Sequence, residues 1–318
     1  MIDAPPHPTA SLSDELRALS GRRVYFHRFP GNLGDQLIAL GAMAAMRRAG
    51  HRLVREPAGA DAIIITGGGA MNNFWGVGLR ALESMSREYP DTPLIVLPQT
   101  YLLDGVDLRR HLAARRAPSV LFARERISHE ALLAAPLPPG TRVGLDHDMA
   151  MHLVGTDWIE RFRARSRTDH LLIVERTDLE ATTPAGGPPS IIDRFKRMVP
   201  RGVKRPIKRL LGRGDEPRPT AYSDFALRLI HREHPDLAGL PVHREDISEP
   251  PGSIRRFMDL ITRAGAVYTN RLHVGMGAAL LGKPTYMESG NYFKIRAVFE
   301  HSLSDFPNVR MVERETRA

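Results

Sequence analysis

Short apolar runs recur along the chain, and each ends in glycine or polar residues. Stretches with the spacing of helices separate these runs. Such an alternation predicts repeated βα units, in which each strand is followed by a helix that packs on the sheet. The chain is therefore predicted to be an α/β protein with parallel sheets. The predicted strands lie at residues 24–26, 63–65, 94–97, 119–123, 171–174 and 266–268.

The βα pattern runs through the first half of the chain and restarts in the second half, which indicates two domains. Residues 22–160 are predicted to form an N-terminal Rossmann-like domain, and residues 161–300 a C-terminal one. Residues 1–21, which include a short predicted helix at residues 12–19, and residues 301–318 are predicted to be tails. A length of 318 residues suits two domains of ordinary size. Two Rossmann-like domains that face each other across a cleft form a GT-B-like architecture.

The most informative stretch is the βα unit at residues 264–287. Its strand is followed by the sequence Thr-Asn-Arg-Leu-His at residues 269–273, and then by a small, apolar helix. Ligands of open α/β sheets bind at the carboxyl ends of strands, beside helix N-termini that attract anions. Because Arg271 and His273 lie at such a place, the stretch predicts a site for an anionic ligand.

A second cation, Arg176, follows the first strand of the second half at an equivalent strand end. Arg271 and Arg176 are predicted to hold the anion together, because guanidinium groups pair bidentately with phosphate and carboxylate oxygens. His273 is predicted either to exchange protons with the ligand or to hold it as a cation. Two structural alternatives stay open. Arg271 could form a salt bridge with Asp246 or Glu245, and His273 could cap the turn before its helix.

Two glycine-bearing loops of the first half are predicted to form the opposite wall. Glycines allow the backbone amides of these loops to approach a phosphate or a sugar closely. Asp35 is a candidate base for a sugar hydroxyl or, alternatively, the N-cap of the following helix. Arg124 and Glu125 could form an internal ion pair. Candidate acceptor contacts are Asn32, Asp35, Gly68, Gly69, Asn72 and Asn73.

The net charge is +9, and basic residues are concentrated in one segment of the chain. Residues 185–219 form an insertion that is rich in Pro, Gly, Arg and Lys, with apolar residues at near-helical spacing. Such a segment can lie on an anionic membrane surface, so peripheral membrane contact through residues 190–218 is one prediction. A solvated loop is the other. Nucleic-acid binding is disfavoured because aromatic residues are not interleaved with the basic ones.

Cysteine is missing from the sequence, and the N-terminus has no apolar signal segment. No run is long enough to cross a bilayer, so a cytoplasmic location is predicted. A metal site built from Asp146, His147 and Asp148 is disfavoured, because neighbouring residues of an extended chain point in different directions. No metal is expected.

Several motifs together resemble those of the polysaccharide pyruvyl transferases. They extend over about residues 22–300, and their order and spacing are more specific than any one of them. The strongest is the 269–273 sequence with the glycines that follow it, and the basic insertion departs from the family pattern. The other matching motifs lie at residues 31–35, 67–69, 98–99, 123–125, 148–150 and 176.

The resemblance implies a GT-B-like enzyme that transfers the pyruvyl group of phosphoenolpyruvate to a sugar and forms a pyruvate ketal. Phosphoenolpyruvate would be the donor substrate, without any cofactor. The acceptor would be a saccharide or a lipid-linked oligosaccharide of an exopolysaccharide or cell-surface glycan. His273 and Asp35 are then the predicted catalytic residues. The predicted substrate contacts are Arg271, Leu272, Arg176, Asn32, Gly68, Gly69, Asn72 and Asn270.

Two other functions fit the same pattern. A GT-B glycosyltransferase would use an arginine at this strand end to hold the diphosphate of a nucleotide sugar. Against it, no glutamate clearly follows a glycine-rich turn of the second half to hold a ribose. A non-catalytic membrane-surface protein would depend on the basic insertion.

Overall fold

The computed structural model describes residues 9–176, 220–249, 252–289 and 293–314. Within these residues the chain forms two sheets in which every strand pair is parallel, which confirms the predicted α/β class with two Rossmann-like units. The basic insertion at 185–219, including the predicted membrane contact at 190–218, lies outside the described residues. Among the helices that the structure describes, none is both long and apolar enough to span a bilayer.

The N-terminal sheet has eight strands among the described residues. Its central strands are buried along their whole length, as expected for a parallel sheet covered on both faces. The strands are β1 (Thr9–Ala10), β2 (Arg23–His27), β3 (Arg52–Val54), β4 (Ala62–Ile65), β5 (Gly68–Met71), β6 (Leu94–Tyr101), β7 (Ser119–Ala123) and β8 (Thr141–Leu145). Their order is β1-β8-β7-β6-β4-β2-β3, and β5 pairs with the carboxyl end of β6.

The helices of this half alternate with the strands. Side chains cap most of them at the N-terminus, as Ser11 does for the first. The helices are α1 (Leu12–Ala18), α2 (Leu33–Arg48), α3 (Val77–Glu88), α4 (Leu108–His111), α5 (Arg126–Ala134), the 3₁₀ helix Met149–Leu153 and α6 (Asp157–Arg163).

The C-terminal sheet has five strands among the described residues, in the order β10-β9-β11-β12-β13. These strands are β9 (His170–Val174), β10 (Val242–Arg244), β11 (Ala264–Thr269), β12 (Thr285–Glu288) and β13 (Val309–Val312). The helices are α7 (Ala221–Glu233), the 3₁₀ helix Pro235–Leu237, α8 (Ile254–Thr262), α9 (Leu272–Leu280) and α10 (Phe293–Ser302).

The two predicted tails are wrong where the structure describes them. Strand β1 pairs with β8, and α1 buries Leu12 and Leu16, which are four residues apart and so share one helix face. At the other end, β13 pairs with β12, from Val309 onward. Both segments are therefore packed into the domains, and the short helix predicted at residues 12–19 is confirmed by α1. The change from one sheet to the other lies between residues 145 and 170, which brackets the predicted domain boundary at 160.

The strand order reverses once in each sheet. In the N-terminal sheet β2 lies between β3 and β4, and in the C-terminal sheet β9 lies between β10 and β11. Connections leave in opposite directions at such a reversal, so a crevice forms outside the carboxyl ends of the two strands. We therefore expect the ligand site beside β2 and β4 in one half, and beside β9 and β11 in the other.

The two halves share a buried apolar core. Leu33 and Leu37 of α2 belong to the same cluster as Phe257 of α8 and Val274 of α9. The backbone N–H of Leu33 also donates to the Ser248 carbonyl oxygen at 2.9 Å. Burying each large apolar side chain contributes roughly 1.5–3 kcal/mol, so this core holds α2 against α8 and α9.

Gly41 lets α2 pack directly on the backbone of the 3₁₀ helix. A Cβ at this position would overlap the carbonyl oxygen of Met149. We expect Gly41→Ala to lower the free energy of unfolding by roughly 1–3 kcal/mol, because steric overlap outweighs the better helix propensity of alanine. The measurement is a urea denaturation curve.

Gln36→Ala is the matched control, because Gln36 lies on the exposed face of the same helix. The free energy of unfolding of this variant should stay within about 0.5 kcal/mol of the parent's. A Gly41→Ala variant as stable as the parent would contradict this packing of α2.

Candidate functional site

A cavity of about 340 Å³ opens between the two halves, a size typical of small-molecule sites. Its N-terminal wall is built from the loop after β2 with the first turn of α2, which carries Asp35, and from the segment after β4 with β5, which carries Gly69. Its C-terminal wall includes Arg176, just after β9, and Arg271, just after β11. The cavity therefore lies where the strand orders of both sheets reverse.

The C-terminal wall carries most of the ionisable side chains. Arg176, Arg271, His273 and Lys294 line it, with Glu249 as the carboxylate among them. The backbone N–H of Arg176 donates to the Asn270 side-chain oxygen at 2.5 Å, which ties the ends of β9 and β11 together. The structure thus brings the two predicted arginines and the predicted histidine to one surface.

Arg271 forms a salt bridge as well as lining the cavity. Its Nε donates to Asp246 Oδ2 at 3.1 Å, and its Nη2 contacts Asp246 and, at 3.3 Å, Glu249 Oε1. The alternative prediction of a salt bridge is thus correct for Asp246. Only 5% of the side chain is exposed, so the carboxylates fix the direction of the guanidinium group.

Helix α9 begins at this wall without a side-chain cap, and Arg271 is its N-cap residue. Its first-turn amides and the positive end of its dipole favour an anion. Helix α2 differs, because Asn32 and Asp35 form a capping box there. Asn32 accepts the Gly34 and Asp35 amides, and Asp35 accepts the Asn32 amide at 2.9 Å. The prediction of Asp35 as N-cap is therefore wrong, since Asn32 holds that place.

His273 lies where the two halves meet. A Cβ at Gly34 of α2 would lie 2.7 Å from His273 Nδ1, so only glycine allows this contact. The other ring nitrogen, Nε2, lies 3.5 Å from Asp148 Oδ2 of the N-terminal half. His273 is thus carried by α9 and faces a carboxylate from the other half.

Asp148 is fully buried, and both Arg124 and His273 contact its carboxylate. Arg124 Nη1 donates to Asp148 Oδ2 at 2.6 Å, on the oxygen that also faces His273. Burial alone raises the pKa of the Asp148 carboxyl. The hydrogen bond and charge of His273, the charge of Arg124 and the Ala150 amide outweigh burial and hold the pKa well below its usual value. Asp148 is therefore ionised at neutral pH.

Arg124 is fully buried and extends behind the glycine loop. Its Nη2 has no hydrogen-bond partner among the described residues. A Cβ at Gly69 would lie 3.1 Å from this atom and 2.8 Å from Lys294 Nζ. The predicted pair of Arg124 with Glu125 is wrong, because Glu125 accepts the Ser128 amide at 2.9 Å and caps α5.

Three predicted substrate contacts are structural instead. Asn270 holds the Arg176 amide, as described above. Gly68 does not line the cavity, because a Cβ there would point at Ile38 in the core. Gly69, the next residue of β5, faces the cavity instead. Asn72 is buried and braces its loop, donating to Gly69 and accepting from the Trp75 amide.

Asn73 does not line the cavity either, because its Nδ2 donates to the carbonyl oxygens of Asp104 and Gly105. The other predicted residues line the cavity: Asn32, Asp35, Gly69, Arg176, Arg271, Leu272 and His273. Sequence reasoning missed Lys294, Trp75 and the link of Asp148 to His273. The 148–150 motif was a signal for Asp148, but nothing in the sequence indicated its partners.

Three comparisons with known proteins bear on this site. The model of the polysaccharide pyruvyl transferase family matches residues 32–291, whereas no curated protein matches the chain significantly. A functionally uncharacterised protein of Klebsiella pneumoniae has a similar structure. It is 17% identical, with a TM-score of 0.60, and the match covers 95% of this chain and 96% of that chain. At this identity the likeness supports the fold alone.

A UDP-GlcNAc 2-epimerase of Methanocaldococcus jannaschii is a weaker match. It is 12% identical, with a TM-score of 0.38, and the match covers 91% of this chain and 88% of that one. At this TM-score we infer nothing from the likeness. The family match, in contrast, covers most of the chain and includes every predicted site residue. The chain therefore belongs to the polysaccharide pyruvyl transferase family.

Proposed function

We propose that the protein transfers the pyruvyl group of phosphoenolpyruvate to two hydroxyls of a sugar, forming a ketal and releasing phosphate. The acceptor would be a saccharide or lipid-linked oligosaccharide of an exopolysaccharide or cell-surface glycan. Family membership supports pyruvyl transfer to a polysaccharide. The observation that carries the choice of donor is the cationic wall beside the uncapped N-terminus of α9.

The donor carries a phosphate and a carboxylate, and both must leave water to enter the cavity. Arg271 and Arg176 flank the strand reversal of the C-terminal sheet, and both residues line the same space. Each guanidinium can pair bidentately with an oxyanion, which a lysine cannot do. Lys294 adds a point charge beside Gly69. This wall therefore suits a small ligand with two anionic groups.

Ketal formation needs a proton donor and a proton acceptor. In the proposed reaction His273 gives a proton to the methylene carbon of phosphoenolpyruvate, and a sugar hydroxyl oxygen bonds to the neighbouring carbon. Asp35 on the opposite wall takes the proton of that hydroxyl. The carbon–oxygen bond to phosphate then breaks, and phosphate leaves with the electron pair and takes up the proton that Asp35 holds. The second hydroxyl closes the ring and returns a proton to His273.

Asp148 acts on this reaction through His273, as a positioning residue. Its carboxylate faces Nε2, so the other ring nitrogen, Nδ1, would exchange the proton, much as a buried carboxylate orients a catalytic histidine elsewhere. Arg124 donates to the same carboxylate oxygen and holds it in place. A proton donor with a fixed direction follows from this chain of three side chains.

Substitution of Arg271 tests the donor site. We expect Arg271→Ala to weaken phosphoenolpyruvate binding by roughly 10- to 100-fold, the size of a lost charge-assisted interaction. Arg271→Lys should fall between parent and alanine, because it keeps the charge and loses the bidentate geometry. Isothermal titration calorimetry measures both affinities.

Arg263→Ala is the matched control for charge and domain. Arg263 pairs with Asp169 on the surface of the same half, and 59% of its side chain is exposed. Its affinity for phosphoenolpyruvate should equal that of the parent. Undiminished binding by Arg271→Ala, or binding of a nucleoside diphosphate in place of phosphoenolpyruvate, would contradict the proposed donor.

Substitution of Asp148 tests the proton donor. We expect Asp148→Asn to lower kcat by about 100-fold or more, with little change in the KM for phosphoenolpyruvate. The neutral amide keeps the size of the side chain and removes the charge that faces the His273 ring. The rate of phosphate release over a range of phosphoenolpyruvate concentrations measures kcat and KM.

Asp146→Asn is the control, since Asp146 lies two residues away and contacts His152 instead. It should keep the kcat and KM of the parent. If both variants changed kcat equally, or if Asp148→Asn raised the KM for phosphoenolpyruvate and left kcat unchanged, Asp148 would have no specific role towards His273.

A further inference from the structure

Trp75 is a large apolar side chain at the edge of the cavity. It lines the cavity, and 46% of its surface is exposed, although most large apolar side chains of the protein are buried. An exposed tryptophan beside a ligand cavity presents a flat aromatic face and one N–H donor. Such a face is typical of a binding surface for a ligand that is itself partly apolar.

The two walls of the cavity differ in chemistry. Among the described residues of the N-terminal wall, Asp35 is the sole ionisable side chain, and the aromatic and aliphatic surface comes from Phe29, Trp75 and Val77. The cations lie on the C-terminal wall. An anionic donor is therefore drawn to one side, and a neutral ligand with an apolar face fits the other.

The loop that carries Trp75 is built to hold it in place. Asn72 is 4% exposed, and its Oδ1 accepts the Trp75 amide at 2.8 Å while its Nδ2 donates to the Gly69 carbonyl at 2.9 Å. The ring of Phe74 meets that of Trp75 edge to face, with centroids 4.8 Å apart. A side chain fixed before binding loses less conformational entropy when a ligand stacks on it.

We infer that Trp75 is the stacking platform for a pyranose ring of the acceptor, an inference that rests on the proposed function. The C–H face of the sugar would lie on the indole, and its hydroxyls would point towards Asp35 and the donor. Because Asn72 joins the Trp75 backbone to Gly69, the platform is fixed to the loop beside Arg124 and Lys294. The acceptor and donor sites are thereby held next to each other.

Fluorescence tests this directly, because the chain has only two tryptophans, Trp75 and Trp158. Trp158→Phe leaves Trp75 as the single reporter, and Trp75→Phe leaves Trp158. The probes are the methyl pyranosides of glucose, galactose, mannose and N-acetylglucosamine, each added in the presence of phosphoenolpyruvate. We expect at least one probe to shift or quench the emission of Trp158→Phe in a saturable way, and none to alter that of Trp75→Phe.

Kinetics with the same probe as acceptor give the second measurement. Trp75→Ala should raise the acceptor KM by roughly tenfold or more, and Trp75→Phe by much less, because phenylalanine keeps an aromatic face. Calorimetry should show that both variants bind phosphoenolpyruvate as the parent does.

The inference is overturned if no pyranoside perturbs Trp75, or if Trp75→Ala keeps the parent's acceptor KM. Loss of phosphoenolpyruvate binding in Trp75→Ala would also overturn it, since the tryptophan would then support the donor wall. Failure of the proposed function gives a different result, because the parent protein itself would not bind phosphoenolpyruvate.

Discussion

The buried carboxylate of Asp148 is the constraint on which the site depends. Moving a carboxylate from water into the protein interior costs several kcal/mol unless cations and hydrogen-bond donors surround it. Arg124 supplies a cation from the N-terminal sheet, and the His273 ring faces the same carboxylate from α9 of the other half. Separating the halves would remove His273 from this carboxylate. The same contact that joins the halves therefore directs the histidine into the cavity.

The fold class and the cationic wall followed from local sequence. Parallel βα units bring the carboxyl ends of their strands to one edge, so Arg176, Arg271 and His273 could be placed together before any contact was known. The strand order of the C-terminal sheet gives independent support for a ligand site beside these residues. The reversal between β9 and β11 lies between the two arginines, and no local pattern shows that reversal.

The parts that sequence did not predict depend on contacts between distant residues. Asp148 lies 24 residues from Arg124 and 125 residues from His273. The prediction of unstructured tails was wrong for the same reason. A two-residue strand such as β1 is defined only by its pairing with β8, which is distant in sequence. Gly68 and Gly69 show a second feature that the sequence could not predict, which is the direction that each residue faces. The residue type indicated a close approach, but the pleat decides which of the two faces the cavity.

The most direct test of this account is a crystal structure of the protein soaked with phosphoenolpyruvate. We expect the two anionic groups to lie against Arg271 and Arg176, beside the N-terminus of α9, with the methylene carbon within reach of His273. Phosphoenolpyruvate bound elsewhere, or bound in the cavity with its methylene carbon turned away from His273, would contradict it.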